Sequence, residues 1–195
     1  MKKILLGLAM LSLMALNAQA ATFGNTSIGD YPLGFNGAGS DYSYDATLPE
    51  DGWITGMSFY IDTFDPYSEY LLGLAIYRKQ AGIPVNLLVY SHITNIGVPS
   101  QGWKSLMAAG IPFLQAGDYI ITVYCKRADG NQNGWPQLSG RQGGYNEHQT
   151  YYATMGFGLV QKMPNPYPNP GVWNNTYLGS LYVTYTTIDP SSYIP

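Results

Sequence analysis

Asp129, Asn131 and Asn133 offer side-chain oxygens at every second position of the segment DGNQNG, residues 129–134. This spacing matches the opening of a calcium loop, D-x-[DN]-x-[DN]-G, in which alternate side chains present oxygen atoms to the ion. The glutamate expected at the twelfth position of such a loop is replaced by Gly140. One carboxylate and two amides bind calcium weakly, so an Asn- and Gly-rich turn is favoured. We expect no cofactor, with a weak calcium site at these three residues as the alternative.

A second group of residues has the types that bind sugars. Trp and Tyr rings stack on the C–H faces of a sugar, and amides pair with its hydroxyls. The candidates lie in two loops: Trp135 and Tyr145 in the first, and Tyr167, Trp173 and Asn174 in the second. The sequence predicts a ligand-binding surface at these residues. The alternative is that Trp173 plugs one end of the fold, with Tyr167 half covered.

The second of these loops, KMPNPYPNPGVWN (162–174), contains four prolines. Proline fixes its own backbone angle and cannot donate a hydrogen bond to a sheet, so the stretch is neither a helix nor a central strand. Such stiffness lowers the entropy lost when a loop binds a ligand. The composition of the loop therefore favours a binding role as much as a structural one.

Groups suited to catalysis are few. The two histidines, His92 and His148, do not have metal-ligand spacing, and no nucleophile elbow or nucleotide-binding loop occurs. Glycoside cleavage needs two carboxyl groups about 5–10 Å apart across a groove. Asp62, Asp65 and Glu69 fall within one turn-like stretch, which a solvated hairpin explains equally well. We predict that the protein is not an enzyme.

The first twenty residues have the pattern of a secretory signal peptide. Lys2 and Lys3 precede an apolar run, and Ala18-Gln19-Ala20 supplies small residues at a cleavage site. Cleavage would leave 175 residues, the length of one domain. We expect a single domain over residues 21–187, followed by a tail over residues 188–195. The predicted location is extracellular, with the periplasm as the alternative.

Charge excludes two classes of partner. Without Lys2 and Lys3 the chain has seven basic and twelve acidic side chains, a net charge of −5. Nucleic-acid binding and attraction to anionic membranes both need a basic face, so neither is expected, and no membrane insertion is expected either. Charged residues make up only 11% of the chain. A surface covered by Tyr, Asn, Gln, Ser and Thr suits contact with neutral polymers or with other proteins.

The chain has one cysteine, Cys125. An exported protein with one thiol has no internal disulfide, so its core must be stable without one. Cys125 lies in the strand-like segment YIITVYCKR, and we expect it to be a small buried side chain, with a reactive thiol as the alternative.

Hydrophobic patterning indicates an all-β fold. Strong strand segments lie at 52–64, 69–79, 85–96, 117–127, 150–163 and 178–187, and weaker ones at 21–29, 41–48 and 102–109. Trp53 and Trp103, at strand starts, are expected in the core. The interval between Arg127 and Thr150 carries five glycines without strand periodicity, which predicts a long loop. The sum is an antiparallel β-sandwich or jelly roll of about eight to nine strands.

Several short motifs give the chain a family resemblance. They are Thr22 to Gly29 (TFGNTSIG), Thr47-Leu48-Pro49 with Gly52, Leu74-Ala75-Ile76-Tyr77, Gly102-Trp103, Leu114 to Tyr119, and Leu181 to Tyr185. With these motifs the chain resembles bacterial and archaeal extracellular β-sandwich modules of secreted and surface proteins. The resemblance implies carbohydrate binding or surface architecture, and it brings no catalytic residues, because the shared positions are turns and core.

Two functions follow from these features. The first is an exported, non-catalytic β-sandwich that binds carbohydrate or another extracellular polymer through aromatic loops. The alternative is a self-associating structural subunit of a surface layer, matrix or filament. The expected partners are accordingly a polysaccharide or glycan surface, or copies of the chain itself.

Overall fold

The structure is a computed structural model, and it describes residues 20–34, 40–63, 69–129, 137–142, 147–151, 163, 165–167, 171–173 and 177–193. The strands in chain order are β1 (Ala21–Gly24), β2 (Tyr31–Gly34), β3 (Ser40–Leu48), β4 (Gly52–Thr63), β5 (Tyr70–Gln80), β6 (Ile83–Tyr90), β7 (Thr94–Asn95), β8 (Gly102–Met107), β9 (Phe113–Leu114), β10 (Gly117–Arg127), β11 (Gln137–Gln142), β12 (Glu147–Tyr151), β13 (Gly171–Trp173), β14 (Tyr177–Gly179) and β15 (Leu181–Thr186). A short 3-10 helix, Pro190–Tyr193, follows the last strand. In the described part of the chain, no helix has the length and apolarity needed to cross a membrane.

The strands form two antiparallel sheets. The first has the order β1-β15-β4-β11-β14, with β8 and β9 also pairing β4 and β2 pairing β11. The second has the order β13-β12-β3-β10-β5-β6, with β7 pairing β5. The predicted class, an antiparallel β-sandwich, is confirmed. The strands outnumber the predicted nine because short strands such as β7 and β9 carry too few residues to produce a pattern.

Alternation along β10 determines which side chains enter the space between the sheets. Ile121, Val123 and Cys125 point into this inner core together with residues of the first sheet such as Phe59 and Val183. Because successive side chains of a strand point to opposite faces, Ile120, Thr122 and Tyr124 lie on the outer face of the second sheet. These residues are buried as well. The second sheet therefore buries both of its faces, and its central strands need apolar residues at almost every position.

Cys125 is a buried member of the inner core, as the sequence predicts. Burial raises the pKa of its thiol, because removal from water disfavours the thiolate. A thiol in this position is protonated and shielded from reagents in water.

The opening TFGNTSIG segment is tied to the strand that ends the sandwich. The Asn25 amide donates to the carbonyl of Gly179 at 3.1 Å, and its backbone N–H donates to Leu181 at 2.8 Å. The Ser180 hydroxyl accepts from the N–H of Gly29 at 3.2 Å and donates to a carbonyl at residue 27 at 2.8 Å. Gly24, with φ +98°, permits the close approach, since a Cβ there would lie 2.7 Å from the Leu181 oxygen. The motif therefore has a structural role: hydrogen bonds join residues 25–29 to residues 179–181, where β14 meets β15.

Two segments differ from the predicted pattern. The interval predicted to be one long loop contains β11, which pairs with β2, β4 and β14. Its sequence, QLSGRQ, lacks β-branched residues, and its small buried residues Ser139 and Gly140 fit between neighbouring strands instead. The segment predicted as one strand over 85–96 is divided into β6 and β7, so His92 follows β6 rather than lying in a strand.

Gly179 provides a test of the packing between the sheets. A Cβ at this position would lie 2.7 Å from the Tyr44 ring, whereas a Cβ at Gly56 would lie 3.5 Å from its nearest neighbour, an ordinary contact. We expect Gly179→Ala to lower the free energy of unfolding by about 1–3 kcal/mol through overpacking. The matched variant Gly56→Ala should leave it within about 0.5 kcal/mol of the wild type. Chemical denaturation of both variants measures the difference, and equal stability of the two would contradict this packing.

Candidate functional site

The described part of the proline segment crosses the outer face of the second sheet. Met163 and Tyr167 are buried there in a second apolar cluster with Tyr77, Ile120 and Tyr124. The Tyr167 ring meets the Tyr77 ring edge to face, with 4.8 Å between the ring centroids. Rings in this arrangement attract each other beyond the effect of burial alone. The segment therefore acts as a cover for this face.

Backbone and side-chain bonds fix the cover at the edge strand β6. The Tyr167 N–H donates to the carbonyl of Val85 at 2.9 Å. The N–H of Leu87 donates to the Asn165 side-chain oxygen at 3.2 Å. Both bonds occupy groups that an edge strand would otherwise leave open for another strand.

A polar cluster lies beneath the cover. The Tyr167 hydroxyl donates to the Asp41 carboxylate at 2.7 Å and lies 3.1 Å from the Ser43 hydroxyl. The Ser43 hydroxyl lies 2.7 Å from the Thr122 hydroxyl. Asp41 is fully buried, and its negative charge adds to burial in raising the pKa of the Tyr77 hydroxyl. Each of these polar groups has a partner, as buried polar groups require.

The predicted aromatic binding residues do not form one described surface. The Tyr167 ring is packed in the protein and does not present a face to a ligand, so its part in the predicted binding surface is replaced by a structural role. At the backbone level, Trp173 pairs with Glu147, which joins the second loop to the strand that follows the first loop. Trp135, Tyr145 and Asn174 lie outside the described residues.

Of the three predicted calcium ligands, the structure describes only Asp129. Both carboxylate oxygens of Asp129 accept hydrogen bonds from the Arg127 guanidinium, at 3.0 and 2.7 Å. This two-point ion pair occupies the only carboxylate of the predicted loop. Asn131 and Asn133 lie outside the described residues. Among the residues that the structure describes, no three His, Cys, Asp or Glu side chains are placed to hold a metal ion.

A cleft with a volume of about 500 Å³ lies at one end of the sandwich. The chain from Phe113 to Tyr119, which passes from the first sheet to the second, forms one side of it. Arg78, Lys79 and Leu88 of β5 and β6 form the other side. The cleft therefore occupies the gap where the two sheets separate.

Three interactions hold the crossing segment in place. The Asp51 carboxylate accepts from the N–H of Ala116 at 2.7 Å. The Tyr119 hydroxyl donates to the carbonyl of Gln115 at 2.6 Å. The Asp118 carboxylate accepts from the hydroxyl of a neighbouring strand residue, Thr47, at 2.7 Å. A loop fixed in this way needs little reordering when it binds a ligand.

The cleft combines aromatic rings with polar groups of several kinds. The Phe113 side chain is 46% exposed and rests against Trp53, with 5.1 Å between the ring centroids. Tyr119 and Arg78 are direct cross-strand partners. Partial burial raises the pKa of Tyr119, and the nearby Arg78 charge opposes that shift. Gln115 adds a side-chain amide at the same side of the cleft.

The two basic residues of the cleft differ in their pairing. Lys79 donates to the Asp45 carboxylate at 2.9 Å, which neutralises its charge locally. The exposed Arg78 guanidinium has no ion-pair or hydrogen-bond partner within the described residues. Its donors are available to a hydroxyl or carboxylate of a ligand.

Sequence reasoning missed this cleft. Gln115, Ala116 and Gly117 form the predicted turn, but a turn signal does not reveal which strands lie across from it. The pairing of Tyr119 with Arg78 joins positions that are 41 residues apart in the chain. The one available signal was Phe113, an aromatic residue beside a turn and outside the predicted strands.

A separate aromatic group lies on the outer face of the first sheet. The Trp103 ring packs edge to face on Tyr60 and Tyr182, at centroid distances of 5.5 and 4.8 Å. Trp103 and Trp53 are both half-buried and outside the inner core, so their predicted core placement is wrong. In a strand, successive side chains point to opposite faces of the sheet. Ile54 follows Trp53, and Leu106 lies an odd number of positions from Trp103; both face the inner core, so the tryptophans face outward.

Comparisons with known proteins define the fold. No protein-family model matches the chain, and no curated protein matches it. The chain is similar to a crystal structure of the cysteine protease and lectin-like domains of Cwp84, a surface layer associated protein of Clostridium difficile. The identity is 10%, the TM-score is 0.53, and the match covers 87% of this chain and 36% of that chain. A structure of infectious bursal disease virus Gx strain matches at 11% identity with a TM-score of 0.39, over 88% of this chain and 38% of that one.

The polar cluster under the proline segment generates a stability prediction. Tyr167→Phe removes the hydroxyl that donates to the buried Asp41 carboxylate. We expect the free energy of unfolding to fall by about 1.5–3 kcal/mol, since a hydrogen bond to a buried charge is lost. Tyr119→Phe is the matched control, because its hydroxyl donates to an exposed carbonyl, and it should cost less than about 1 kcal/mol. Urea denaturation compares the two, and an equal loss in both variants would refute the structural role of Tyr167.

Proposed function

We propose that this protein is an exported, non-catalytic β-sandwich that binds a neutral polysaccharide in the cleft at the end of the sandwich. The residues that line the cleft include the exposed Phe113 together with Gln115, Asp118 and Arg78. This single combination carries the proposal. An aromatic face accepts the C–H surface of a sugar, while planar polar groups around it bind hydroxyls.

The dimensions of the cleft support the same ligand class. A volume of about 500 Å³ lies within the range of small-molecule sites, about 300–1,000 Å³. The cleft opens to solvent at the surface, and we infer that a chain longer than the cleft extends beyond it. The proposal therefore favours a polymer or an oligosaccharide over a small compact ligand.

Charge favours a neutral ligand over an acidic one. Three charged residues line the cleft: Arg78, Lys79 and Asp118. Lys79 is paired with Asp45, so Arg78 is the cation of this lining that has no ion-pair partner among the described residues. The whole chain has a net charge of −3. A strongly anionic polymer would be repelled by this balance, whereas a neutral glycan would not.

Two observations support the absence of catalysis as part of the proposal. The Asp62 carboxylate accepts from the Gln101 amide at 3.2 Å, and Glu69 accepts from the Asn95 amide at 2.8 Å. Each carboxylate thus has its own exposed partner on the surface, away from the cleft. Acid–base cleavage of a glycoside needs two carboxyl groups across a groove. Asp118 and Asp51, the carboxylates at this cleft among the described residues, each accept a structural hydrogen bond, from the Thr47 hydroxyl and the Ala116 N–H respectively.

Export rests on the predicted signal peptide, and the fold is compatible with it. The solved structure that is similar with a TM-score of 0.53 is of the cysteine protease and lectin-like domains of a surface layer associated protein. The chain spans 36% of that structure, so the activity of the other protein is not transferred. The proposed location outside the cell is consistent with a low content of charged residues and with a single buried cysteine.

A polysaccharide-binding assay tests the proposal. The chain from residue 21 to residue 195 is applied to a panel of insoluble and soluble polysaccharides, with and without calcium. We expect retention by at least one neutral polymer, and we expect Phe113→Ala to weaken it about tenfold or more, because a buried aromatic side chain contributes about 1.5–3 kcal/mol.

Ile28→Ala is the matched control, because Ile28 is an exposed apolar residue outside the cleft. Its affinity should equal that of the wild type. Retention by no polymer would overturn the proposal, as would retention that Phe113→Ala leaves unchanged.

A further inference from the structure

Exposed apolar side chains are concentrated in one part of the chain. Five large hydrophobic residues are exposed among the described residues: Ile28, Val98, Met107, Ile111 and Phe113. Four of them fall within residues 98–113, the segment that contains β8 and β9. Met107 is the most exposed, at 77%. Large apolar side chains left in water are typical of contact surfaces, and of these residues Met107 lies in the edge strand β8.

Within this segment, β8 lies at an edge of the first sheet. Just beyond β8, the Ala109 N–H donates to the Tyr90 carbonyl of β6 at 2.7 Å. In the described part of the chain, β8 pairs on one side only, with β4, from Met107 opposite Gly56 to Gly102 opposite Ile61. The outward backbone N–H and C=O groups of β8 have no partner there. Natural edge strands are protected by charges, prolines or covering segments, as β6 is covered by residues 165–167. Within β8, Lys104 is the only such protection.

The sequence of β8 complements itself. When two copies lie antiparallel with Ser105 opposite Ser105, Trp103 of each copy faces Met107 of the other on the outer face. A thioether against an aromatic ring is a favourable contact, and it covers the most exposed apolar side chain. Lys104 then lies opposite Leu106 rather than opposite the second Lys104, so like charges are not placed face to face.

We propose that β8 is the interface with a second copy of this chain, paired antiparallel about a two-fold axis at Ser105. The pairing joins the two first sheets into one continuous sheet and brings together the two Trp103 aromatic groups. A two-fold interface uses the same surface on both copies and is closed, so it produces a dimer rather than a filament. The cleft remains accessible, because Phe113 lies beyond the paired residues 103–107. This inference does not depend on glycan binding.

We infer that the partner strand comes from a second copy because this edge carries too little charge to attract a charged partner. Residues 98–113 carry one charge, Lys104, whose ammonium already donates to the Ser100 hydroxyl at 3.0 Å. An acidic or basic peptide would find no complementary charge along this edge. An identical strand supplies what the edge lacks, namely a ring for each Met107 and backbone partners for each strand.

Sedimentation analysis over a range of concentrations tests the interface with the chain from residue 21 to residue 195. We expect a dimer for the wild type and for Ile28→Glu, which places a charge on an exposed apolar residue away from β8. Met107→Glu should weaken dimerisation at least tenfold, because its carboxylate would lie against the indole of the second copy. A wild type that remains monomeric at the highest concentration would overturn the proposal, as would a dimer that Met107→Glu leaves unaffected.

A cross-link tests the register independently of stability. Ser105→Cys places a thiol on the proposed axis, and Cys125 does not interfere because it is buried. Mild oxidation should convert this variant to a covalent dimer, while Thr184→Cys, on the outer face away from the edge, should stay monomeric under denaturing conditions. Absence of the Ser105→Cys cross-link in a protein that sediments as a dimer would overturn the proposed register. Glycan binding is read out separately, so its failure would leave this result intact.

Discussion

The hydrogen bond between the Tyr167 hydroxyl and the buried Asp41 carboxylate holds the proline segment across the outer face of the second sheet. A carboxylate with no solvent exposure is expensive to bury without donors, so this face requires a cover that brings a hydroxyl group. Proline restricts the conformations of the covering segment before folding and so lowers the entropy lost in fixing it. The unusual composition of this segment is therefore explained by burial of a sheet face. A tyrosine at this position satisfies both the apolar surroundings and the charge.

This cover determines where the protein can meet other molecules. The outer face of the second sheet is occupied, and its edge at β6 is bonded to residues 165–167. The two proposed contact surfaces lie elsewhere: the cleft beside the crossing from Phe113 to Tyr119, and the edge of the first sheet at β8. A cleft and an edge are different kinds of surface, and they serve different partners. Ligand binding and self-association are thus compatible in one molecule.

Alternation of side chains along a strand can be predicted from the sequence. Contacts that depend on which distant strands become neighbours cannot. The period of two along β10 correctly indicated an antiparallel sandwich, and it placed Cys125 in the core. The position of Tyr167 was not predictable, because its partner Asp41 lies 126 residues away and only the strand order brings the two together. The strand β11 was not predicted because its small residues have low β propensity, and they fit the sheet by packing between neighbouring strands. The cleft was missed for the same reason, since the pairing of Tyr119 with Arg78 is set by register alone.

We propose that ligand recognition takes place at the end cleft and not at the proline segment. Nuclear magnetic resonance titration of the labelled chain with a soluble oligosaccharide of the retained polymer tests this claim most directly. If the cleft is the binding site, chemical shifts should change at the amides of residues 113–119 and of Arg78, and those of residues 165–173 should stay unchanged. Changes confined to residues 171–173 and the neighbouring loops would contradict it and would return the binding role to Trp173.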